Sequence, residues 1–105
     1  MNKLNTVTRR HKEDRLMELR DWDRENAEQI AADEGVDMKE EHWQVVAFLR
    51  NYYLEYGIAE NGKVVAEALS NAFKDKGGTH YLLDLFPDGA VVQGSRIAGL
   101  PVPPR

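Results

Sequence analysis

The sequence predicts a mainly helical α+β fold. A small N-terminal antiparallel β-hairpin or sheet packs on an orthogonal array of about five helices, and an extended proline-rich arm follows at the C-terminus. Three observations carry the helices, the β-prone start and the proline-rich arm. Apolar residues recur at three- and four-residue steps between Asp21 and Ala98. Glycines and capping residues cut that span into helix-length pieces. A β-prone Thr6-Val7-Thr8 precedes it, and Pro101, Pro103 and Pro104 follow it. A length of 105 residues suits one domain. It divides into a hairpin region (1–20), the helical array (21–98) and the arm (99–105).

Leu4 to Leu19 is the least helical stretch. Thr6, Val7 and Thr8 favour a strand, Glu13-Asp14-Arg15 can turn, and Leu16-Met17 can return. No glycine is present to fix a turn type, and a helix from Arg10 to Arg20 competes on propensity.

Asp21 or Asp23 caps a first helix running to Glu34, with Glu25 suited to its positive end. Ala27, Ile30 and Ala31 form its apolar stripe. Gly35 supplies a left-handed stop, and Val36 packs back. Glu40 to Tyr56 is the central helix. Trp43, Val46, Leu49, Tyr53 and Tyr56 form one face, and Val45, Phe48 and Tyr52 a second. A helix apolar on two faces belongs between neighbours. Each fully buried aromatic there contributes about 2–3 kcal/mol by area. Gly57 ends it.

Asn61 caps a helix from about Gly62 to Lys76, with Val64, Val65, Ala68, Leu69, Ala72 and Phe73 inward. Lys74 and Lys76 suit its C-terminal end, and Gly77-Gly78 breaks it. Thr79 caps a short helix ending at Phe86-Pro87. Asp88 caps a last one, Ala90 to Ala98, stopped by Gly99. The prolines then force an extended tail.

An apolar fraction of 42%, with two Trp, four Tyr and three Phe, argues for a folded chain. A formal net charge of −4 favours solubility and weighs against bulk affinity for nucleic acid or anionic membrane. No apolar run is long enough to span a bilayer, and Met1-Asn2-Lys3-Leu4-Asn5 has no secretory apolar region, so cytoplasm is expected. The absence of cysteine removes disulfides, thiolate metal ligands and sulfur carriage, but fixes no compartment.

Four blocks carry a family resemblance: Asp21-Trp22, Glu41-His42-Trp43 leading into Phe48-Leu49-Arg50-Asn51-Tyr52-Tyr53-Leu54-Glu55-Tyr56-Gly57-Ile58-Ala59, Tyr81-Leu82-Leu83-Asp84-Leu85-Phe86-Pro87-Asp88-Gly89, and Gln93-Gly94-Ser95-Arg96-Ile97-Ala98-Gly99-Leu100-Pro101. In order and spacing they resemble the DsrC/TusE/DsvC sulfur-relay family, the gamma-subunit-like proteins of dissimilatory sulfite reductase, from about Asp21 to Pro103. The resemblance implies the small N-terminal sheet and favours the hairpin over the competing helix. It also implies sulfur carried on a penultimate cysteine of a mobile C-terminal arm. That cysteine is absent after Arg105, and the position of the family's second cysteine holds Ser95. Glu60 replaces a family proline, and Lys63 stands at a usual arginine.

Sulfur relay requires a thiolate that attacks a donor persulfide. A serine hydroxyl forms no stable persulfide, so Ser95 reads as a small helix-surface hydroxyl and no catalytic residue is assigned. His11, His42 and His80 lack the spacing of metal ligands, so no metal is expected. His42 reads as packing or hydrogen-bonding in the first turn of its helix. Glu40, Glu41, Asp84 and Asp88 read as solvated carboxylates. Neither Ser70 nor Ser95 sits in a nucleophile elbow, and Gly77-Gly78 matches no phosphate loop, so no cofactor is expected. Trp43, Tyr52, Tyr53 and Tyr56 read as core.

The resulting expectation is a non-catalytic DsrC/TusE-like protein in a regulatory or accessory role, monomeric or weakly oligomeric. The resemblance implies partners of the DsrEFH or TusBCD sulfurtransferase type, sulfite reductase or heterodisulfide-reductase-like complexes. Docking candidates are Arg50, Lys63, Arg96, Leu100, Pro101 and Arg105. One alternative is a sulfur carrier whose terminal cysteine lies beyond this sequence. A second is a DNA-binding regulator that uses the Arg9-Arg10-His11-Lys12 cluster and the face of Lys63, Glu67 and Asn71; this is less favoured, because that face is not strongly phosphate-seeking and the basic cluster reads as a charged hairpin edge.

Overall fold

A computed structural model describes residues 13–17 and 19–104. Residues 13–17 are helical (α1). The further helices are α2 (Arg24–Asp33), α3 (Glu40–Tyr56), α4 (Gly62–Ala72), α5 (Gly78–Leu85) and α6 (Ala90–Ile97), with a 3-10 turn at Lys74–Lys76 between α4 and α5.

The expected N-terminal hairpin is corrected: among the described residues none lies in a strand. Residues 13–17, expected to form the turn and its return, are helical instead. Glu13, Arg15, Leu16 and Met17 are good helix formers, and no Gly or Asn supplies the positive φ that tight hairpin turns use. Thr6, Val7 and Thr8 lie outside the described residues, as does the Arg9-Arg10-His11-Lys12 cluster.

Asp23 caps α2, its Oδ1 accepting from Asn26 N at 2.8 Å. After Glu34 the helix ends in a Schellman turn. Gly35, at φ +77°, donates to Ala32 O, and Val36 N donates to Ala31 O at 2.8 Å. Val36 is thereby buried against the core.

α3 is the central element. Val45, Val46, Leu49 and Tyr53 are buried along it, as is Trp43. Tyr56 departs from the expected stripe and is exposed, its ring resting against Tyr52 with centroids 4.8 Å apart. α6 packs against α2, α3, α4 and α5. Its approach to α3 is close: a Cβ at Gly94 would lie 2.8 Å from Leu49 Cδ1.

Asn61 caps α4 through Val64 N at 3.2 Å. Val65 and Leu69 are buried, whereas Val64, expected inward, is exposed. α4 ends at Ala72, four residues before the expected Lys76, where Phe73 turns the chain into the 3-10 segment. Thr79 and Asp88 do not cap the helices expected of them; the cap positions are Gly77 and Gly89. Thr79 Oγ1 instead lies 2.8 Å from Ser70 Oγ, tying α5 to α4. Phe86, Leu69, Ile97, Val45 and Val46 are the largest apolar side chains withdrawn from solvent. Among the described residues no helix is long and apolar enough to cross a membrane.

Candidate functional site

Residues 99–104 form the described part of the arm, without regular structure. The arm folds back onto the body. Leu100, Pro101 and Pro103 meet Leu49, Tyr52 and Tyr53 of α3, the Gly57-Ile58-Ala59 loop, Val65 of α4 and Ser95 of α6. The gap left between them is about 20 Å³, room for about one water. The cleft is therefore filled by the chain's own arm and is too small for a substrate or cofactor.

Two side chains fix the arm's departure from α6. Trp22 Nε1 donates to Ile97 O at 2.9 Å, and Arg50 Nη1 donates to Ala98 O at 2.7 Å. These carbonyls belong to the unpaired last turn of α6. Arg50 Nη2 also donates to Leu19 O at 3.0 Å, so one guanidinium joins α3, the N-terminal segment and the arm's root. Burial lowers the pKa of Arg50. At the other end, Gly62 N, in the first turn of α4, donates to Pro104 O at 2.7 Å.

The expected site residues fare differently. Ser95 is corrected from a surface hydroxyl to a buried one: it is 3% exposed, because α6 presses its Gly94-Ser95 side against α3 and the arm. Arg50 is an internal clamp. Arg96 is engaged with Glu34, Nε to Oε2 at 3.0 Å and Nη2 to Oε1 at 2.6 Å, with Asp88 at 3.9 Å. This contact, foremost the hydrogen bond, lowers the Glu34 pKa and raises that of Arg96. Gln93, 1% exposed, bridges the same cluster by donating to Glu34 and Asp88 and accepting from Asp88 N. Lys63 is exposed beside Pro103 in a shallow groove with Gly62, Ala66, Val91 and Val92. Leu100 is half-buried in the cleft and Pro101 exposed at its edge. Arg105 lies outside the described residues.

His42 Nδ1 accepts from Lys39 N at 3.1 Å, so Nε2 carries the proton donated to Leu85 O at 2.9 Å. Both ring nitrogens are engaged, and His42 joins α3 to α5. Among the described residues no group of three His, Cys, Asp or Glu is placed to hold a metal. Sequence reasoning missed Arg15, whose Nε and Nη2 donate to Leu54 O at 3.1 and 2.9 Å near the end of α3. It also missed the capping role of Trp22. The only sequence signal for either was a long donor-bearing side chain beside an otherwise polar segment.

The family model for DsrC like protein matches residues 4–105. The chain is 40% identical over 89 residues to the sulfurtransferase TusE of Escherichia coli K12, covering 84% of this chain and 82% of that protein. It is 42% identical over the same length and shares to the sulfurtransferase TusE of Salmonella typhimurium. Among solved structures, DsrC of Allochromatium vinosum superposes with a TM-score of 0.70 at 41% identity, over 83% of this chain and 79% of that one. The oxidized gamma-subunit of the dissimilatory sulfite reductase (DsrC) of Archaeoglobus fulgidus gives 0.66 at 32% identity, over 82% and 80%.

Proposed function

The chain belongs to the DsrC-like family, and from that premise we propose that it works with protein partners of sulfur metabolism as a docking component that does not itself carry persulfide. One chemical fact carries this reading: none of the 105 residues is a cysteine. A persulfide forms when a thiolate takes sulfane sulfur from a donor, and no other side chain here offers that group. Ser95, at the family's second cysteine position, is buried under the arm, where an incoming donor does not reach.

The surface offered to partners is the arm and its borders. Leu100 and Pro101 in the cleft, Lys63 beside Pro103, and Arg105 are the docking residues in this reading. Arg96 is set aside because Glu34 already holds it. Partners are of the sulfurtransferase type of the DsrEFH or TusBCD kind, sulfite reductase or heterodisulfide-reductase-like complexes, met in the cytoplasm. The role is regulatory or accessory: the chain occupies a relay surface without passing sulfur on.

The test is direct. Incubated with a persulfidated sulfurtransferase, the 105-residue chain keeps its mass while forming a stable complex with that donor. A gain of one sulfur atom on the chain sinks the proposal.

The likeness to proteins named sulfurtransferase supports a second reading, a carrier whose cysteine lies beyond Arg105. Pro104 O already meets the first turn of α4, whose positive end lowers the pKa of a nearby thiol. Comparing the mass of the native protein with its reading frame decides between the two. DNA reading is the weakest option, since Lys63 and Glu67 cancel on the exposed face of α4; absence of a duplex shift at low salt removes it.

A further inference from the structure

A second cleft lies at the Trp22–Arg50 clamp, between the start of α2 and the middle of α3. Its walls are Trp22, Arg24, Trp43, Ala47, Arg50 and Asn51, and its volume is about 260 Å³. Each indole carries a guanidinium over its face. Arg50 Cζ lies 4.0 Å from the centre of Trp22, and Arg24 Cζ lies 4.6 Å from that of Trp43.

Among the described residues neither guanidinium has a carboxylate within ion-pair distance. That is unexpected in a chain with 18 acidic residues and 14 basic ones. Arg96, by contrast, is held by two carboxylates. Among the described residues Arg50 donates to neutral carbonyls, and burial lowers its pKa. The cleft thus joins apolar walls to two positive charges with no carboxylate at ion-pair distance among the described residues.

We infer that the Trp22–Trp43 cleft docks an acidic segment of a partner protein, a carboxylate meeting Arg24 and Arg50 and an adjoining aromatic or aliphatic side chain packing against the half-buried Trp22 and the exposed Ala47. Charge complementarity selects the acid. Trp and Arg are the residues that dominate protein-binding hot spots. The cleft is open and falls below the size of small-molecule pockets, about 300–1,000 Å³. A nucleic-acid strand, with a charge on every nucleotide, is disfavoured by the formal net charge of −4, against which a single carboxylate is repelled far less. The inference holds whichever sulfur chemistry the chain performs, because no thiol enters it.

Random peptides displayed on phage are selected against the whole chain, and enriched sequences are remade as tryptophan-free peptides. Both tryptophans of the chain line the cleft, so its fluorescence reports occupancy. The expected winners carry Asp or Glu beside an aromatic or aliphatic residue and shift that fluorescence. Arg24→Glu and Ala47→Glu, both at exposed positions, each weaken binding at least about tenfold while circular dichroism and the unfolding midpoint stay unchanged. Failure to enrich acidic peptides, or affinity indifferent to both variants, overturns the inference. Binding of oligothymidylate with the same Arg24 dependence, in place of peptide binding, overturns it in favour of a nucleic-acid platform.

Discussion

Arg50 stacks 4.0 Å over Trp22, and the two side chains cap consecutive carbonyls, Ala98 O and Ile97 O, at the end of α6. Both lie far from α6 in sequence, so tertiary packing caps the last carbonyls of a helix that Gly99 ends locally, with Leu100 N donating to Ser95 O at 2.9 Å. The direction in which the arm leaves depends on this pair.

Removing the guanidinium tests the clamp. Arg50→Met keeps the stem but leaves Ala98 O, on a buried residue, without a donor, and Leu19 O with only the longer bond from Trp22 N at 3.3 Å. The expected loss is about 1–3 kcal/mol. Arg50→Lys restores at most one of the two bonds and falls between Met and wild type. Urea unfolding measures this. Equal midpoints for all three proteins would show that the clamp contributes nothing to stability.

Gly99 and Gly35 separate strain from collision. Both adopt left-handed φ, +71° and +77°. A Cβ at Gly35 meets nothing within 4 Å, whereas one at Gly99 would lie 2.6 Å from Trp22 Cδ1. Gly35→Ala is therefore expected to cost only the backbone term, about 1 kcal/mol. Gly99→Ala adds displacement of the indole and costs about 2–4 kcal/mol in all. Thermal unfolding of the two variants should rank them in that order; the reverse order refutes the collision.

Stability should also respond to acid through Glu34. The Arg96 hydrogen bond holds its folded pKa below the ordinary value of 4.5. A depressed carboxylate stabilises the fold fully above its unfolded value, and the contribution is lost as pH falls through the lower folded value. Wild type should therefore lose more stability between neutrality and pH values below 4.5 than Glu34→Gln does. Because Arg96 is solvent-exposed, salt should shrink the difference. Denaturant midpoints across that range give the answer, and parallel acid limbs for the two proteins contradict the assignment.

The helical part of the fold was legible where local chemistry decides structure. Asp23, Asn61 and the Gly35-Val36 pair act through atoms within five residues, so residue type and spacing reveal them. The stripe of Trp43, Val46, Leu49 and Tyr53 follows directly from the helical period. Residues acting at long range were not legible. Trp22, Arg50 and Arg15 bond carbonyls 31 to 75 positions away, and nothing in the local pattern marks those acceptors. Ser95 looked like surface because its polarity suggested water; its burial follows from the close crossing that Gly94 allows. The hairpin expectation failed because it rested on a resemblance, while Glu13, Arg15, Leu16 and Met17 are helix-forming and the stretch holds no glycine.

The arm's far end hangs on the donor at Gly62, and that donor can be deleted cleanly. Proline lacks the N–H that Pro104 O accepts, yet it is favoured at the first position of a helix, which Gly62 occupies in α4. Asn61, the preceding residue, is already extended at φ −157° and ψ 167°, as a residue before proline requires, and its cap bond to Val64 N survives. A Cβ at Gly62 meets its nearest neighbours at only 3.7 and 3.9 Å, ordinary contact. Gly62→Pro should therefore free the arm without unfolding α4. The chain has no cysteine, so Ser95→Cys places a single thiol beneath Leu100 and Pro101 as a reporter. Alone, that buried thiol should react with a disulfide reagent slowly; combined with Gly62→Pro it should react several-fold faster while helical circular dichroism is retained. An unchanged rate would mean that the apolar contacts of Leu100 and Pro103 hold the arm by themselves and that the hydrogen bond at α4 is incidental.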